Sequence, residues 1–587
     1  MCGIVGYVGR KDAKEVLLTG LYNLEYRGYD SAGIAVKNNE DINIIKSVGK
    51  ISNLENKIKK AKLDRAYIGI GHTRWATHGE PNETNAHPHV CENIILVHNG
   101  IIENAKELKE KLEKEGTNFY SQTDTEVACA LINYYFKKEK DTKKAINKAI
   151  KELKGSYALA ILNKDEDKIY ATRKDSPLII GVKETESFVA SDIAAIIKYT
   201  NEYILLEAGE IAEIDDSGLK VFKNGKQIEK KLIKTDLSES ANDKNGYEHY
   251  MLKEIMEEPV LLEKMFDKNK KNVPDISKYE EVHIVACGSA LYAGMIGKFL
   301  LEKTSHVNVL CECASEYRYT EVAYPKKTLV ILISQSGETA DTIAAMRKAK
   351  ESGAHTLAIV NVETSTIARE ADEHFFITAG PEIAVATTKA YMLQVGALAL
   401  ISYNSAKKRK LIDYSIEEDI KLLPKLVKDI IDKREEYKQI AKEIYKHENI
   451  FFIGRLVDHA ICLEGSLKLK EVSYIHSEAY AAGELKHGTI SLINKGMPVF
   501  AIITDDDIRD KTISNIEEVN ARGAKSYIIT NEKTKLDDET IIVPRINPFL
   551  QPLLVVPILQ LIAYETAYLR GCDIDKPKNL AKSVTVE

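Results

Sequence analysis

Two tracts of this chain repeat one alternation of apolar run, polar loop and helix, and few folds can satisfy it. In the first tract, Val282-His283-Ile284-Val285-Ala286 leads through Cys287-Gly288-Ser289 into a helical pattern that reaches about residue 303. Thr328-Leu329-Val330-Ile331-Leu332-Ile333 leads through Ser334-Gln335-Ser336-Gly337-Glu338-Thr339 into a helical pattern over 340–352, and Thr356-Leu357-Ala358-Ile359-Val360 follows. In the second tract, Ile450-Phe451-Phe452-Ile453-Gly454-Arg455 opens in the same way. Met497-Pro498-Val499-Phe500-Ala501-Ile502-Ile503 and Ser526-Tyr527-Ile528-Ile529-Thr530 stand for the later strands. Continuous apolar runs of this length are the mark of parallel strands buried on both faces. A duplicated doubly wound α/β domain is expected, with ligand at the carboxyl ends of the strands. The segment between the copies, 406–447, is charged and helical in pattern.

The loop Ser334-Gln335-Ser336-Gly337-Glu338-Thr339 offers hydroxyls, backbone N–H groups and a helix N-terminus, which together suit a phosphate. It has no lysine of the nucleotide-binding kind, so ATP is not expected. An ordinary βα turn with capping hydroxyls would read the same way. In the second copy, Glu464-Gly465-Ser466-Leu467-Lys468-Leu469-Lys470-Glu471 precedes Glu484-Leu485-Lys486-His487-Gly488. Lys468 and Glu471 share a helix face at a spacing of three. They form either a plain helical ion pair or a base beside an ammonium, suited to proton transfer next to a carbonyl.

The first third, to about residue 221, reads as short β runs interrupted by helices over 12–26 and 125–136. Polar residues bunch where apolar strands stop, a common sign of a site on a rigid scaffold. One bunch is Gly71-His72-Thr73-Arg74-Trp75-Ala76-Thr77-His78-Gly79 and another is His98-Asn99-Gly100. Arg74 can grip a carboxylate through two parallel hydrogen bonds, although an isolated arginine is more often a surface ion pair. Asp124 can pair with an α-ammonium. Asn99 with the Gly100 N–H can form an oxyanion hole, or simply a tight turn. The histidine spacing does not fit a metal site.

At the start of the chain stands Met1-Cys2-Gly3-Ile4-Val5-Gly6. Removal of Met1 would leave a thiol and a free α-amino group on one residue, a nucleophile with its own base. Ile4, Val5, Tyr7 and Val8 would hold that terminus in a sheet. Alone, Cys2 reads more readily as an incidental small residue after the start Met.

Composition removes several classes. The 587 residues carry a net charge of −6, which gives no case for nucleic acid or an anionic membrane surface. The eight cysteines are thinly spread, without a disulfide framework or zinc spacing. No secretory signal is read at the N-terminus. The apolar stretch 549–563 contains Pro552 and Pro557 and is expected to be a buried helix, not a membrane span. A cytoplasmic protein is expected.

Cys2-Gly3-Ile4-Val5-Gly6, Glu25-Tyr26-Arg27-Gly28-Tyr29-Asp30-Ser31-Ala32-Gly33, the run 71–79 and His98-Asn99-Gly100 together resemble the glutamine amidotransferases with an N-terminal nucleophile. That resemblance implies a four-layer α/β/β/α glutaminase domain, with Cys2 as nucleophile and Arg74, Thr77, His78, Asn99, Gly100 and Asp124 at the glutamine site. It implies Trp75 as the gate on the ammonia path.

The region from about 247 to the end resembles the isomerase half of the glutamine–fructose-6-phosphate aminotransferase family, through 334–339, 468–471, 484–488 and 579–587. That resemblance implies a sugar-phosphate site of Ser334, Gln335, Ser336, Thr339, Val385 and Thr387. It implies Lys582 as a Schiff-base lysine, Glu471 as the group moving a proton between C1 and C2, Lys468 as its helper, and His487 from a neighbouring subunit as the ring opener. A homodimer that shares His487, and no cofactor or metal, follow from it. The substrates implied are L-glutamine and D-fructose 6-phosphate, the products D-glucosamine 6-phosphate and L-glutamate.

Where this family commonly has Cys-Gly-Thr-Ser, the chain has Cys287-Gly288-Ser289-Ala290, so a hydroxyl is missing at Ala290; Thr387-Thr388-Lys389 replaces the common Ser-Thr-Lys. The expected organisation is a glutaminase domain over 2–225, a linker over 226–246, isomerase domains over 247–405 and 448–577 joined by helices over 406–447, and a catalytic tail over 578–587. Two alternatives remain. A phosphoribosyl-type amidotransferase would need an acidic pyrophosphate motif after a strand, which is not found. A sugar-phosphate-sensing regulator would need neither Cys2 nor Lys582.

Overall fold

Alternation along the strand Gly3–Val8 sorts its side chains onto two faces. Val5 and Tyr7 pack with Leu17 and Leu21, while Ile4 and Val8 pack with Ile95, Val97 and Ala160. The same sorting recurs on Ile94–Ile102, where Ile94 and Leu96 turn toward Leu131 and Ile146. Three apolar layers therefore separate four layers of backbone. The structure, a computed structural model, describes residues 2–38, 41–75, 79–235, 243–325, 327–536 and 539–585. The chain divides into two units, 1–243 with 581–587, and 244–580.

The first unit holds an eight-stranded and a seven-stranded sheet. In the first sheet, Gly3–Val8 lies antiparallel between Ile68–Arg74 and Glu186–Ala190. In the second, Ile94–Ile102 pairs antiparallel with Gly155–Asn163. Ala13–Leu24 and Ile51–Ala61 cover one outer face, and Ala105–Lys114, Asp124–Glu139 and Thr142–Glu152 cover the other. This is the expected α/β/β/α arrangement. The reading of two helices in this third is corrected, because Ile51–Ala61, Ala105–Lys114 and Thr142–Glu152 are helices as well. Each buries few side chains, such as Ile51, Leu54 and Ile58 or Leu108 and Leu112, among lysines and glutamates. A stripe that narrow is easily lost among charged neighbours. The segment expected as a linker begins with two short strands, Lys226–Ile228 and Ile233–Lys234.

The second unit contains two five-stranded sheets of one design. The first runs Asn308–Cys313, Glu281–Ala286, Thr328–Ser334, His355–Val360, Glu373–Phe376, all parallel. The second runs His476–Ala481, Asn449–Gly454, Pro498–Ile503, Lys525–Thr530, Glu539–Ile542, also parallel. In each sheet the chain reverses its direction of travel beside the first strand, which opens a crevice at the strand ends. One apolar core joins both halves, with helices Gly288–Ser305, Lys389–Lys408, Val457–Ser473 and Val556–Leu569 contributing to it. The stretch Gln551–Leu569 is long and apolar enough to cross a membrane, and nearly all of it is buried inside this core. The helix Tyr250–Asn269 opens this unit and runs through Pro259. The charged connection forms Glu417–Ile431 and Arg434–Ile444.

The two copies differ at one informative position. Ala290 and Asp458 each lie four residues beyond the end of their first strands, Glu281–Ala286 and Asn449–Gly454. The buried Asp458 carboxylate accepts the Thr504 N–H at 2.8 Å, the Thr504 hydroxyl at 2.5 Å and the Asp505 N–H at 3.4 Å. The second copy thus fills its own strand-end loop with a side-chain anion. Burial pushes Asp458 up to about 6.

Candidate active sites

Strand ends deliver the residues of the first site. Cys2 directly precedes Gly3–Val8, and Arg74 closes the neighbouring strand Ile68–Arg74. The Trp75 N–H donates to Cys2 Sγ at 3.2 Å. Burial pushes the Cys2 thiol up, so attack by sulfur calls for a base close by. From the other sheet, Asn99 Nδ2 donates to the Cys2 carbonyl oxygen at 3.0 Å. Gly100 follows at φ +133°, where a Cβ would meet the Ser156 carbonyl oxygen at 2.0 Å, so only glycine fits.

Asp124 opens the helix Asp124–Glu139, with Thr123 as its cap. One Asp124 oxygen accepts the Ile102 N–H at 2.8 Å. The buried Arg74 guanidinium donates to the carbonyls of Gly79 and Glu80 at 3.1 and 3.4 Å. Cys2, Arg74, Trp75, Gly100 and Asp124 line one small recess. The Trp75 ring stands edge-on to Tyr29, with centroids 5.7 Å apart. Thr77 and His78 lie outside the described residues.

His87 and His98 line the same recess, and the rings of His72 and His89 pack against that of His87; all four are buried. Burial holds His87 and His89 well below the usual histidine range. Among the described residues no group of three or more His, Cys, Asp or Glu is arranged to hold a metal ion.

In the second unit, Ser334 is the last residue of Thr328–Ser334 and Thr339 caps Ala340–Glu351. The Ser334 and Thr339 hydroxyls are 2.9 Å apart, the Gly337 N–H donates to Ser334 Oγ at 3.0 Å, and the Glu338 N–H donates to Ser336 Oγ at 3.2 Å. Gln335 accepts the Asn361 N–H through its carbonyl. Hydroxyls and a helix N-terminus converge as an anion site requires.

Lys468 and Glu471 stand on Val457–Ser473, their charged groups 2.5 Å apart, with Lys468 almost fully buried. The site extends further than the sequence motifs suggested. Glu464 lies 3.5 Å from Lys468 Nζ and accepts the Ser289 hydroxyl at 3.1 Å. Burial pushes Glu464 up to about 7. Its spacing of four from Lys468 was the available signal. Val385 is buried, its N–H donating to the Asp575 carbonyl at 3.0 Å. The Thr387 hydroxyl donates to Glu382, which also accepts the Thr388 and Ala390 N–H groups. Glu382 had no sequence signal, because it acts as a cap from a loop without a capping pattern. His487 is exposed at the end of the turn Ala482–His487. Lys582 is half-buried on the C-terminal segment that groups with the first unit.

A cysteine-led four-layer unit followed by two copies of a parallel phosphosugar-type domain defines a two-site amidotransferase. The glutamine amidotransferase domain family matches residues 72–198, and the SIS domain family matches residues 275–402 and 443–570. Over 611 aligned residues, covering 100% of both chains, the sequence is 46% identical to a glutamine–fructose-6-phosphate aminotransferase (isomerizing) of Clostridium acetobutylicum. It is 43% identical to the one of Thermus thermophilus over 607 residues, again covering 100% of each. The solved C-terminal domain of glucosamine-fructose-6-phosphate aminotransferase from Francisella tularensis superposes with a TM-score of 0.54 at 37% identity, covering 57% of this chain and 99% of that one. The chain belongs to the glutamine–fructose-6-phosphate aminotransferase (isomerizing) family.

Proposed function

We propose that this enzyme moves the amide nitrogen of L-glutamine onto D-fructose 6-phosphate and isomerises the adduct to D-glucosamine 6-phosphate, releasing L-glutamate, as the entry step of amino-sugar synthesis. The observation that carries this reading is full-length likeness to enzymes of that name, spanning both units at 46% identity.

In this reading Arg74 takes the glutamine α-carboxylate and Asp124 its α-ammonium, with Thr77 and His78 completing the pocket. Cys2 attacks the side-chain amide. Its α-amino group, freed by removal of Met1, accepts the thiol proton and then hands it to the departing ammonia. Asn99 and the Gly100 N–H hold the tetrahedral oxyanion. Water then releases glutamate from the thioester, and Trp75 gates the ammonia.

Ser334, Gln335, Ser336 and Thr339 hold the phosphate, and Val385 and Thr387 line the sugar. His487 of a second subunit opens the ring. Lys582 condenses with the ketone, and ammonia displaces it. Glu471 carries a proton from C1 to C2, with Lys468 steadying the sugar oxygens. The assembly is a homodimer. A cytoplasmic setting is supported by eight cysteines that are all free.

The test is glucosamine 6-phosphate formation from glutamine and fructose 6-phosphate by wild type, Cys2→Ala and Lys582→Ala. Product from wild type and none from either variant is expected. A wild type that hydrolyses glutamine without aminating the sugar would overturn the choice of acceptor and point first to Ala290.

A further inference from the structure

His72 has no part in the chemistry above, yet it joins the two sheets directly under the nucleophile. It lies on Ile68–Arg74, opposite Ile4 on one side and Gly33 on the other, and is fully buried. Its Nε2 is 2.9 Å from the His98 carbonyl oxygen and 3.1 Å from Asn99 Oδ1.

Three contacts assign the protons. The Cys2 carbonyl can only accept, so the Asn99 atom 3.0 Å from it is the amide nitrogen. The Asn99 atom facing His72 is then the amide oxygen. His98 O and Asn99 Oδ1 are both acceptors, so His72 Nε2 carries the hydrogen that serves them. Nδ1 is left as a bare lone pair, buried without a hydrogen-bond partner among the described residues, on a ring stacked 4.0 Å from that of His87. A second proton has no place there, and burial keeps His72 near 3. His72 is thus a fixed neutral donor at any working pH.

Asn99 Nδ2 has two hydrogens, and the Cys2 carbonyl takes one. The other is free for an oxyanion. The Cys2 contact decides which end of the amide is the donor. The His72 contact holds the plane of the amide and draws electron density toward Oδ1, which strengthens the N–H on the far side. We propose that His72 is the positioning residue that holds the Asn99 amide in register to donate to the oxyanion formed when Cys2 attacks glutamine. The proposal rests on reading Asn99 as an oxyanion donor.

The experiment is glutaminase kinetics on the full chain for His72→Leu, His72→Gln, Asn99→Ala and the double variant His72→Leu/Asn99→Ala. Asn99→Ala is expected to lower kcat by about 10²–10³. His72→Leu is expected to lower kcat by about tenfold or more, with the glutamine KM nearly unchanged, because only the transition state uses the held amide. His72→Gln, whose amide N–H reaches the Nε2 position, is expected to restore kcat. In the Asn99→Ala background the loss from His72→Leu is expected to vanish.

If the two losses multiply, or if His72→Leu raises KM alone, His72 does not act through Asn99 and the proposal falls while the oxyanion reading stands. If Asn99→Ala keeps wild-type kcat, the oxyanion reading itself falls and takes the proposal with it. Should His72→Leu not fold, the pair His72→Gln and His72→Asn carries the test. The longer amide retains kcat, the shorter one cannot reach and loses it, and equal rates overturn the proposal.

Discussion

Lys468 Nζ lies 2.5 Å from a Glu471 oxygen and 3.5 Å from a Glu464 oxygen, one ammonium between two carboxylates on a single helix. Desolvation opposes the Lys468 charge, and the two carboxylates more than offset it, so its pKa is raised. Glu464 is buried, and a proton on it relieves the excess negative charge of the trio. Ser289 donates to Glu464 from the helix Gly288–Ser305, Tyr292 of that helix also faces Glu464, and Tyr391 approaches from Lys389–Lys408. Glu471 is the more exposed carboxylate of the pair, as the proton-transfer role proposed for it requires.

This arrangement makes the stability of the second unit pH-dependent. Glu464 titrates at about 7 in the fold against an ordinary value of 4.5. Between those pH values the native state keeps a proton that the unfolded chain has released, so stability falls as pH rises through the window. Below it the contribution is complete, and above it the loss is complete. Glu464→Gln removes this contribution to the dependence. Wild type should lose on the order of 3 kcal/mol relative to that variant between pH 4.5 and 7. Urea midpoints followed across this range check it, and a constant difference would sink the assignment.

The loop proposed to hold the phosphate depends on Gly337. Its φ is +64°, and a Cβ there would meet Ser365 Oγ at 2.0 Å. Gly337→Ala must therefore move the backbone whose N–H faces Ser334. The sugar-phosphate KM should rise about tenfold or more, the equivalent of one lost hydrogen bond to a charged group. Glutamine hydrolysis at Cys2 should persist. A sugar-phosphate KM unchanged from wild type would show that the loop is not the anion site.

Much of this was legible from the sequence because the chemistry sits at strand ends. The runs 282–286 and 328–333 are bounded by polar loops, and the matching strands, Glu281–Ala286 and Thr328–Ser334, stop within a residue of them. The link from Ser289 to Glu464 was hidden, because it joins residues 175 apart and exists only once two helices pack. His72 was quoted within a motif but given no role, since a histidine on a buried strand reads as core until its hydrogen-bond partners are in place. The weak helices Ile51–Ala61 and Ala105–Lys114 were masked by their own charge.

Asp458 should be structural, because its carboxylate is taken up entirely by its own strand-end loop. Asp458→Ala leaves the Thr504 and Asp505 N–H groups and the Thr504 hydroxyl without their acceptor in a buried site. Unpaired buried donors of this kind cost about 1–3 kcal/mol each, so a loss on the order of 3 kcal/mol is expected. Denaturant unfolding measures it. A variant as stable as wild type would show that the loop finds other acceptors and that Asp458 does not close it.

Asp124 joins a structural contact to the proposed recognition of the glutamine α-ammonium within one side chain. One oxygen accepts the Ile102 N–H at 2.8 Å and ties the helix Asp124–Glu139 to the strand Ile94–Ile102 that carries Asn99. Asp124→Asn can keep that bond through its amide oxygen while the negative charge disappears. A hydrogen bond to a charged group contributes about 1.5–3 kcal/mol, so the glutamine KM should rise roughly ten- to a hundredfold. The melting temperature should hardly move. Asp124→Ala removes the structural bond too, and should lower stability as well as affinity. If Asp124→Asn binds glutamine as wild type does, the α-ammonium is held elsewhere, and Asp124 serves only to anchor its helix.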